Sequence, residues 1–232
     1  MANELAVFLH GLGQTPQTWQ DQVRDLPSDL PAAAPWLRGL RPGSQNVFSL
    51  RDSAGEVSSA LTMHGADRAY LVGTSLGAMV ALQTAADDPR VAGLVLAAPQ
   101  VNPPRWLMKV QSAALTLASR RRLSARGLNK AAMQDVFRAM AETDFSDRLG
   151  EINQPTLILC GDGDRANRPA AELLAGQLPN GRLEVVAGGH QLHLENAQEF
   201  NRLAYAFIAD LRAPQEPEGQ PGDDRPAADN EH

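Results

Sequence analysis

Short apolar runs alternate with helical stretches along the first 211 residues, and this alternation limits the possible folds more than any other feature. The runs are Leu5–Leu9, Val47–Leu50, Ala69–Val72, Val91–Ala97, Thr156–Cys160 and Leu183–Val186. They are continuous rather than alternating in polarity, as expected of strands covered on both faces in a parallel sheet. Helical stretches follow several of them: Leu76–Ala86, Pro169–Leu178 and Asn196–Leu211, the last with Phe200, Leu203, Ala204, Phe207 and Ile208 at helical spacing. Strands and helices in this order predict an α/β fold with a doubly wound, mostly parallel sheet.

One segment breaks the rhythm. Residues 99–154 hold no convincing strand and read as helices around Arg105–Arg122 and Asn129–Ala141, so they are expected to form a short helical cap insertion. Its basic cluster, Arg120, Arg121, Arg122 and Arg126, reads as a solvated helix face or as a contact for an anionic group. Beyond Arg212 the chain turns to Pro, Gly, Glu and Asp with almost no apolar content. That composition cannot offset the entropy of ordering, so residues 213–232 are expected to be a disordered acidic tail on a domain of residues 1–212.

Bulk properties narrow the function classes. Hydrophobic residues make up 43% and charged residues 21% of the chain, an ordinary globular profile. Of the formal net charge of -6, nearly all belongs to the tail, where six acids face only Arg225. The remainder has no field to recruit nucleic acid or an anionic membrane, so the expected partner is a small-molecule substrate. Cys160 is the single cysteine, which excludes an intramolecular disulfide and suits a reducing compartment. The N-terminus lacks a basic region before its apolar run, and no stretch approaches the roughly 20 residues of a bilayer span. A cytoplasmic protein is expected; the oligomeric state is not readable.

Chemistry enters at Gly73-Thr74-Ser75-Leu76-Gly77, a G-x-S-x-G directly after a strand and directly before a helix. A serine on so sharp a turn is exposed, and the helix behind it points its N-terminal N–H groups at the site. A serine hydroxyl is a weak nucleophile and needs a base, itself oriented by a third group. His190, in Ala187-Gly188-Gly189-His190 between the last strand and the last helix, is the candidate base; His10, His64, His193 and His232 are placed less well, with His193 a possible substrate-lining residue. The acid comes from Gly161-Asp162-Gly163-Asp164 at the end of the fifth run. Asp164 is preferred, Asp162 is the alternative, and both also suit an Asx turn and helix cap. His10-Gly11-Leu12-Gly13 after the first strand provides a main-chain N–H at Leu12, which with that of Leu76 would form an oxyanion hole. Trp106, Leu107 and Met108 in the insertion are further possible substrate-lining residues.

Four segments carry a resemblance: HGLGQTPQTW, VGTSLGAMVAL, PTLILCGDGD and GGHQLHLENAQEF. Between them residues 5 to 211 resemble the α/β-hydrolase fold superfamily, in its small esterase and haloperoxidase-like branch. The chain order Ser75, Asp164, His190 is the triad order of that fold, and the pattern also puts an acid five residues after the histidine, here Glu195. The resemblance implies a serine hydrolase acting on a small carboxylic ester or related acyl substrate through an acyl-enzyme, with no metal or organic cofactor. The alternative is a C–C bond hydrolase or lyase using the same triad. Two features depart from many relatives: Ser49-Leu50-Arg51-Asp52-Ser53-Ala54-Gly55 replaces a D-x-x-G-x-G-x-S segment, and the two early antiparallel strands of larger members are lacking. Serine rather than aspartate at position 75 argues against haloalkane dehalogenase or epoxide hydrolase chemistry.

Overall fold

The structure is a computed structural model that describes residues 2–102, 113 and 130–213. Six strands form one sheet: β1 (Glu4–Leu9), β2 (Ala32–Ala33), β3 (Arg68–Thr74), β4 (Val91–Ala97), β5 (Thr156–Gly161) and β6 (Gly181–Val186). Their spatial order is β2-β1-β3-β4-β5-β6, and every neighbouring pair is parallel. The described helices are α1 (Gln20–Asp25), α2 (Leu50–Met63), α3 (Leu76–Asp87), α4 (Lys130–Glu142), α5 (Arg168–Gln177), α6 (Leu192–Glu195) and α7 (Ala197–Arg212).

Each face of the sheet buries its own apolar layer. On one side Leu5, Val7, Leu9, Leu71, Leu94, Leu96 and Ile158 pack with Val57 and Leu61 of α2, most of α3, and Ala171 and Leu174 of α5. On the other, Phe8, Tyr70, Val72, Val95, Leu157 and Leu159 pack with Trp19 and with Phe200, Ala204, Phe207 and Ile208 of α7. Both layers explain why the strands read as unbroken apolar runs. Helix α4, within the segment expected to be an insertion, contributes Val136 and Met140 to the first layer and so packs on the sheet.

One expected strand is corrected. Residues Val47–Leu50 do not pair with the sheet; Val47 is 60% exposed and Leu50 opens α2. The cause is local, because the Ser49 hydroxyl accepts the Asp52 backbone N–H at 3.2 Å and caps the helix at that point. The second strand is instead β2, two alanines held beside β1 by the Ala6↔Ala32 and Val7↔Ala33 register. Apart from Ala113, the expected helix Arg105–Arg122 lies outside the described residues, as do its basic cluster and the tail beyond Ala213.

This topology fixes where a site can form. From β1 the chain moves to one side to make β2 and then crosses back to make β3 and the remaining strands. The strand order therefore reverses between β1 and β3, and in such sheets ligands bind beyond the carboxyl ends of the strands at the reversal. The Gly11–Gly13 loop follows β1 and Ser75 follows β3.

Candidate active site

Ser75 occupies the single residue between β3 and α3, at φ 51° and ψ −111°. A non-glycine residue in this region of backbone space carries strain of about 1–3 kcal/mol, which the surroundings must hold. They do so from both sides: the Ser75 N–H donates to the Ala97 carbonyl at the end of β4, and the Ser75 carbonyl accepts from Ala78 and Met79 of α3. The flanking glycines are dictated by space. A Cβ on Gly77 would stand 2.0 Å from the Leu9 carbonyl oxygen, and one on Gly73 2.6 Å from the Gly77 carbonyl oxygen. Helix α3 can approach the end of β1 only without those atoms.

The loop after β1 is braced by His10, which is fully buried. Its ring accepts the Leu37 N–H at Nε2 (3.3 Å), which leaves Nδ1 to donate to the Gly11 carbonyl at 2.9 Å. Burial pushes its pKa down, keeping the ring neutral in this role. The Gln14 side chain accepts the Gly11 N–H at 2.8 Å. Among the described residues, the Leu12 and Leu76 backbone N–H groups have no hydrogen-bond partner. For Leu76 that follows from its place at the first position of a helix, where N–H groups are left free.

Beyond the carboxyl ends of β5 and β6, Asp164 Oδ2 lies 3.0 Å from His190 Nδ1. The carboxylate is 5% exposed and the imidazole 46% exposed, so the acid is set beneath a ring that opens to solvent. Of the two candidate acids, the structure brings Asp164 and not Asp162 to His190. Asp162 Oδ1 instead accepts the Gly188 N–H at 3.1 Å, and Gly163 N–H donates to the Gly188 carbonyl at 2.9 Å, lacing the acid loop to the histidine loop. Glu195 holds that loop from behind, accepting the Gly189 N–H at 2.5 Å and the Gln191 N–H at 3.1 Å on either side of His190.

His193 is corrected from a substrate-lining residue to a core residue. It is fully buried, with its ring 4.4 Å from that of Trp19 and 6.2 Å from Phe200. Burial, with a lesser contribution from His190, pushes its pKa down to about 4. On the short helix α6 the residue three positions after His190 turns inward. Trp106, Leu107 and Met108 lie outside the described residues. Two residues that the sequence did not single out belong to the site: Asn167, whose Nδ2 donates to both Asp164 oxygens at 2.7 and 2.9 Å, and Gln100, whose Nε2 donates to Asn167 Oδ1. Asn167 precedes α5 and so reads as a helix cap, yet its side chain makes no cap bond. Among the described residues, no group of three His, Cys, Asp or Glu side chains is placed to hold a metal ion.

A serine on a strained elbow, unpartnered N–H groups on the turns after β1 and β3, and a carboxylate–imidazole pair at the same edge of the sheet are elements of a hydrolase-type site. The chain belongs to the alpha/beta hydrolase family, whose model matches residues 6–203. Among its relatives is RutD of Serratia proteamaculans, a candidate carbamate hydrolase, 27% identical over 241 residues that cover 87% of this chain and 90% of that protein. A 2-hydroxy-6-oxononadienedioate/2-hydroxy-6-oxononatrienedioate hydrolase of Pseudomonas putida is 29% identical, covering 88% and 87%. The pimeloyl-[acyl-carrier protein] methyl ester esterase of Aromatoleum aromaticum is 30% identical, covering 76% and 86%. The chain is therefore an enzyme of the hydrolase class. No helix among the described residues is long and apolar enough to cross a membrane.

Proposed function

We propose that the protein hydrolyses a small carboxylic ester or related acyl substrate through an acyl-enzyme on Ser75. The observation that carries this reading is the coincidence, on one edge of one sheet, of Ser75 at φ 51° with the 3.0 Å Asp164–His190 pair. Asp164 accepts a hydrogen bond from the His190 Nδ1–H, leaving the Nε2 lone pair of His190 as the base. His190 takes the Ser75 hydroxyl proton as Oγ adds to the substrate carbonyl carbon. The carbonyl oxygen, now an anion, is received by the Leu12 and Leu76 N–H groups. The proton passes from His190 to the departing alkoxide, which leaves as an alcohol. Water then attacks the acyl-serine with His190 again as base, and the carboxylic acid is released.

The relatives give the reading its breadth, because an ester, a carbamate and a vinylogous ketone all present a carbonyl to such a serine. The Pseudomonas putida relative, whose name specifies an oxo-dienedioate, favours a second reading in which the bond broken beside that carbonyl is C–C. A fluorophosphonate probe followed by intact mass tests the nucleophile: one adduct is expected on the wild type and none on Ser75→Ala. A panel of p-nitrophenyl esters from acetate to octanoate, run beside a 2-hydroxy-6-oxodienoate, separates the two chemistries. Turnover of the oxodienoate alone would replace the ester reading, and turnover undiminished in Ser75→Ala would end both.

A further inference from the structure

We propose that Asn167, held by Gln100, is a positioning residue that gives the His190 imidazole a single acceptor for its Nδ1 proton. The inference rests on the roles given above to Ser75, Asp164 and His190. Asn167 Nδ2 lies 2.7 and 2.9 Å from the two Asp164 oxygens and 3.0 Å from His190 Nδ1, so one amide nitrogen touches every polar atom of the acid–base contact.

An ionised carboxylate only accepts hydrogen bonds, and this orients the whole chain of contacts. Asn167 must turn its NH2 toward Asp164, its Oδ1 then faces away, and the Gln100 NH2 donates to that oxygen. The consequence at His190 is selective. An amide oxygen beside Nδ1 would be a second acceptor, able to draw the ring proton off Asp164 and rotate the imidazole. An amide NH2 there cannot accept that hydrogen bond, so Nδ1–H donates to Asp164 Oδ2 and the Nε2 lone pair stays free. The reverse arrangement, in which Asn167 donates to an unprotonated Nδ1, turns that lone pair toward the carboxylate and places the proton on Nε2, where the ring is useless as a base.

Gln100 is set by the backbone. The chain leaves β4 through Ala98 at φ 45°, which with Ser75 makes the two non-glycine residues of positive φ among those described. Both strained residues thus stand at the ends of adjacent strands, one presenting the candidate nucleophile and the other preceding the residue that orients the amide. Gln100 is also the second residue of the insertion, so the amide that faces the acid–base pair is anchored where the insertion leaves the sheet.

The test uses the full-length protein and three variants, Asn167→Leu, Gln100→Leu and Ser75→Ala. Asn167→Leu keeps the side-chain shape and removes both amide groups. It is expected to lower kcat by about 10-fold to 10²-fold with KM changed by less than about twofold. The downfield proton resonance of the His190 Nδ1–H···Asp164 bond should broaden or vanish in the same variant. Gln100→Leu should move both readouts in the same direction by a smaller amount. An unaltered kcat and resonance in Asn167→Leu would overturn the proposal, as would a fall in kcat with the resonance intact, or a change confined to KM, since either would make Asn167 a substrate contact. Should Asn167→Leu fail to fold, Gln100→Leu decides on the same two readouts. Activity retained in Ser75→Ala would instead place the failure in the assignment of the nucleophile.

Discussion

The two acids of the GDGD segment show how a spacing of two residues separates roles. Asp164 reaches His190, while Asp162, on the exposed side of the loop, receives only a backbone N–H from Gly188. Asp164→Asn is expected to cut turnover by roughly 10⁴, because an amide at that place lets the imidazole settle in the wrong tautomer. Asp162→Asn should cost no more than about tenfold, since an amide oxygen still accepts the Gly188 N–H. Rates of both variants on one ester decide this, and the opposite ranking would transfer the orienting role to Asp162. Ser75, Asp164 and His190 could be put forward as candidates from the sequence because each lies in a short motif at a strand end. Asn167 and Gln100 were not, because their contact joins residues 67 apart and nothing in the composition of either segment marks it. His193 was misjudged for the converse reason: closeness to His190 along the chain says nothing about which way a helical turn faces.

At the scale of elements, the alternation of runs and helices revealed the sheet because burial on both faces demands it. It placed the second strand wrongly because Phe48 and Leu50 are apolar for a different purpose, as core contacts at the entry to α2. A strand of two alanines leaves no trace in hydropathy, being defined only by its neighbour β1. The glycines flanking Ser75 are the reverse case, where the motif reports a packing demand between elements. Gly77→Ala would drive a methyl into the Leu9 carbonyl, forcing α3 away from β1 and with it the Leu76 N–H away from that of Leu12. We expect a loss of stability of about 1–3 kcal/mol and a fall in kcat larger than that loss alone would give, measured by denaturant unfolding beside turnover. Ser75→Ala, which leaves the elbow glycines in place, should show the kinetic defect without the structural one.

For the whole molecule, two features set stability apart from chemistry. The first is pH. His193 is buried and neutral in the folded protein with a pKa of about 4, against an ordinary value near 6.5. The unfolded chain therefore takes up a proton at a higher pH than the folded one. The stability that His193 confers is full above pH 6.5 and is lost progressively between 6.5 and 4, a total of roughly 3 kcal/mol. His10, also buried and with its pKa lowered, adds to the same trend. Urea unfolding of the wild type should show this decline, and His193→Phe, which can keep the stack on Trp19, should flatten most of it. An equally steep decline in His193→Phe would assign the effect elsewhere.

The second feature is the end of the domain. Arg212, the last residue of α7, donates to Glu4 of β1 at 2.7 Å and to Asp29 at 2.8 Å, and Glu4 also accepts from Tyr70 at 2.7 Å and Arg68 at 3.3 Å. The closing helix is thus pinned to the first strand by a network in which Glu4 is only 15% exposed. Whether the protein ends functionally at this clamp can be read by truncation. Apart from four prolines, residues 214–232 contain no aliphatic side chain larger than alanine, and they hold no Phe, Trp or Tyr. Ordering them would cost roughly 1–2 kcal/mol per residue in backbone entropy with little apolar surface to bury in return. Deleting them should therefore leave the melting temperature and ester turnover unchanged. Arg212→Ala removes the clamp and leaves Glu4 with fewer partners, so it should cost about 1 kcal/mol, or roughly 2–4 °C in melting temperature, with kcat unaffected. If instead the truncation melts several degrees lower, the acidic segment docks on the domain, and its charge would then be expected to act on cations near the end of α7 such as Arg68 and Arg212.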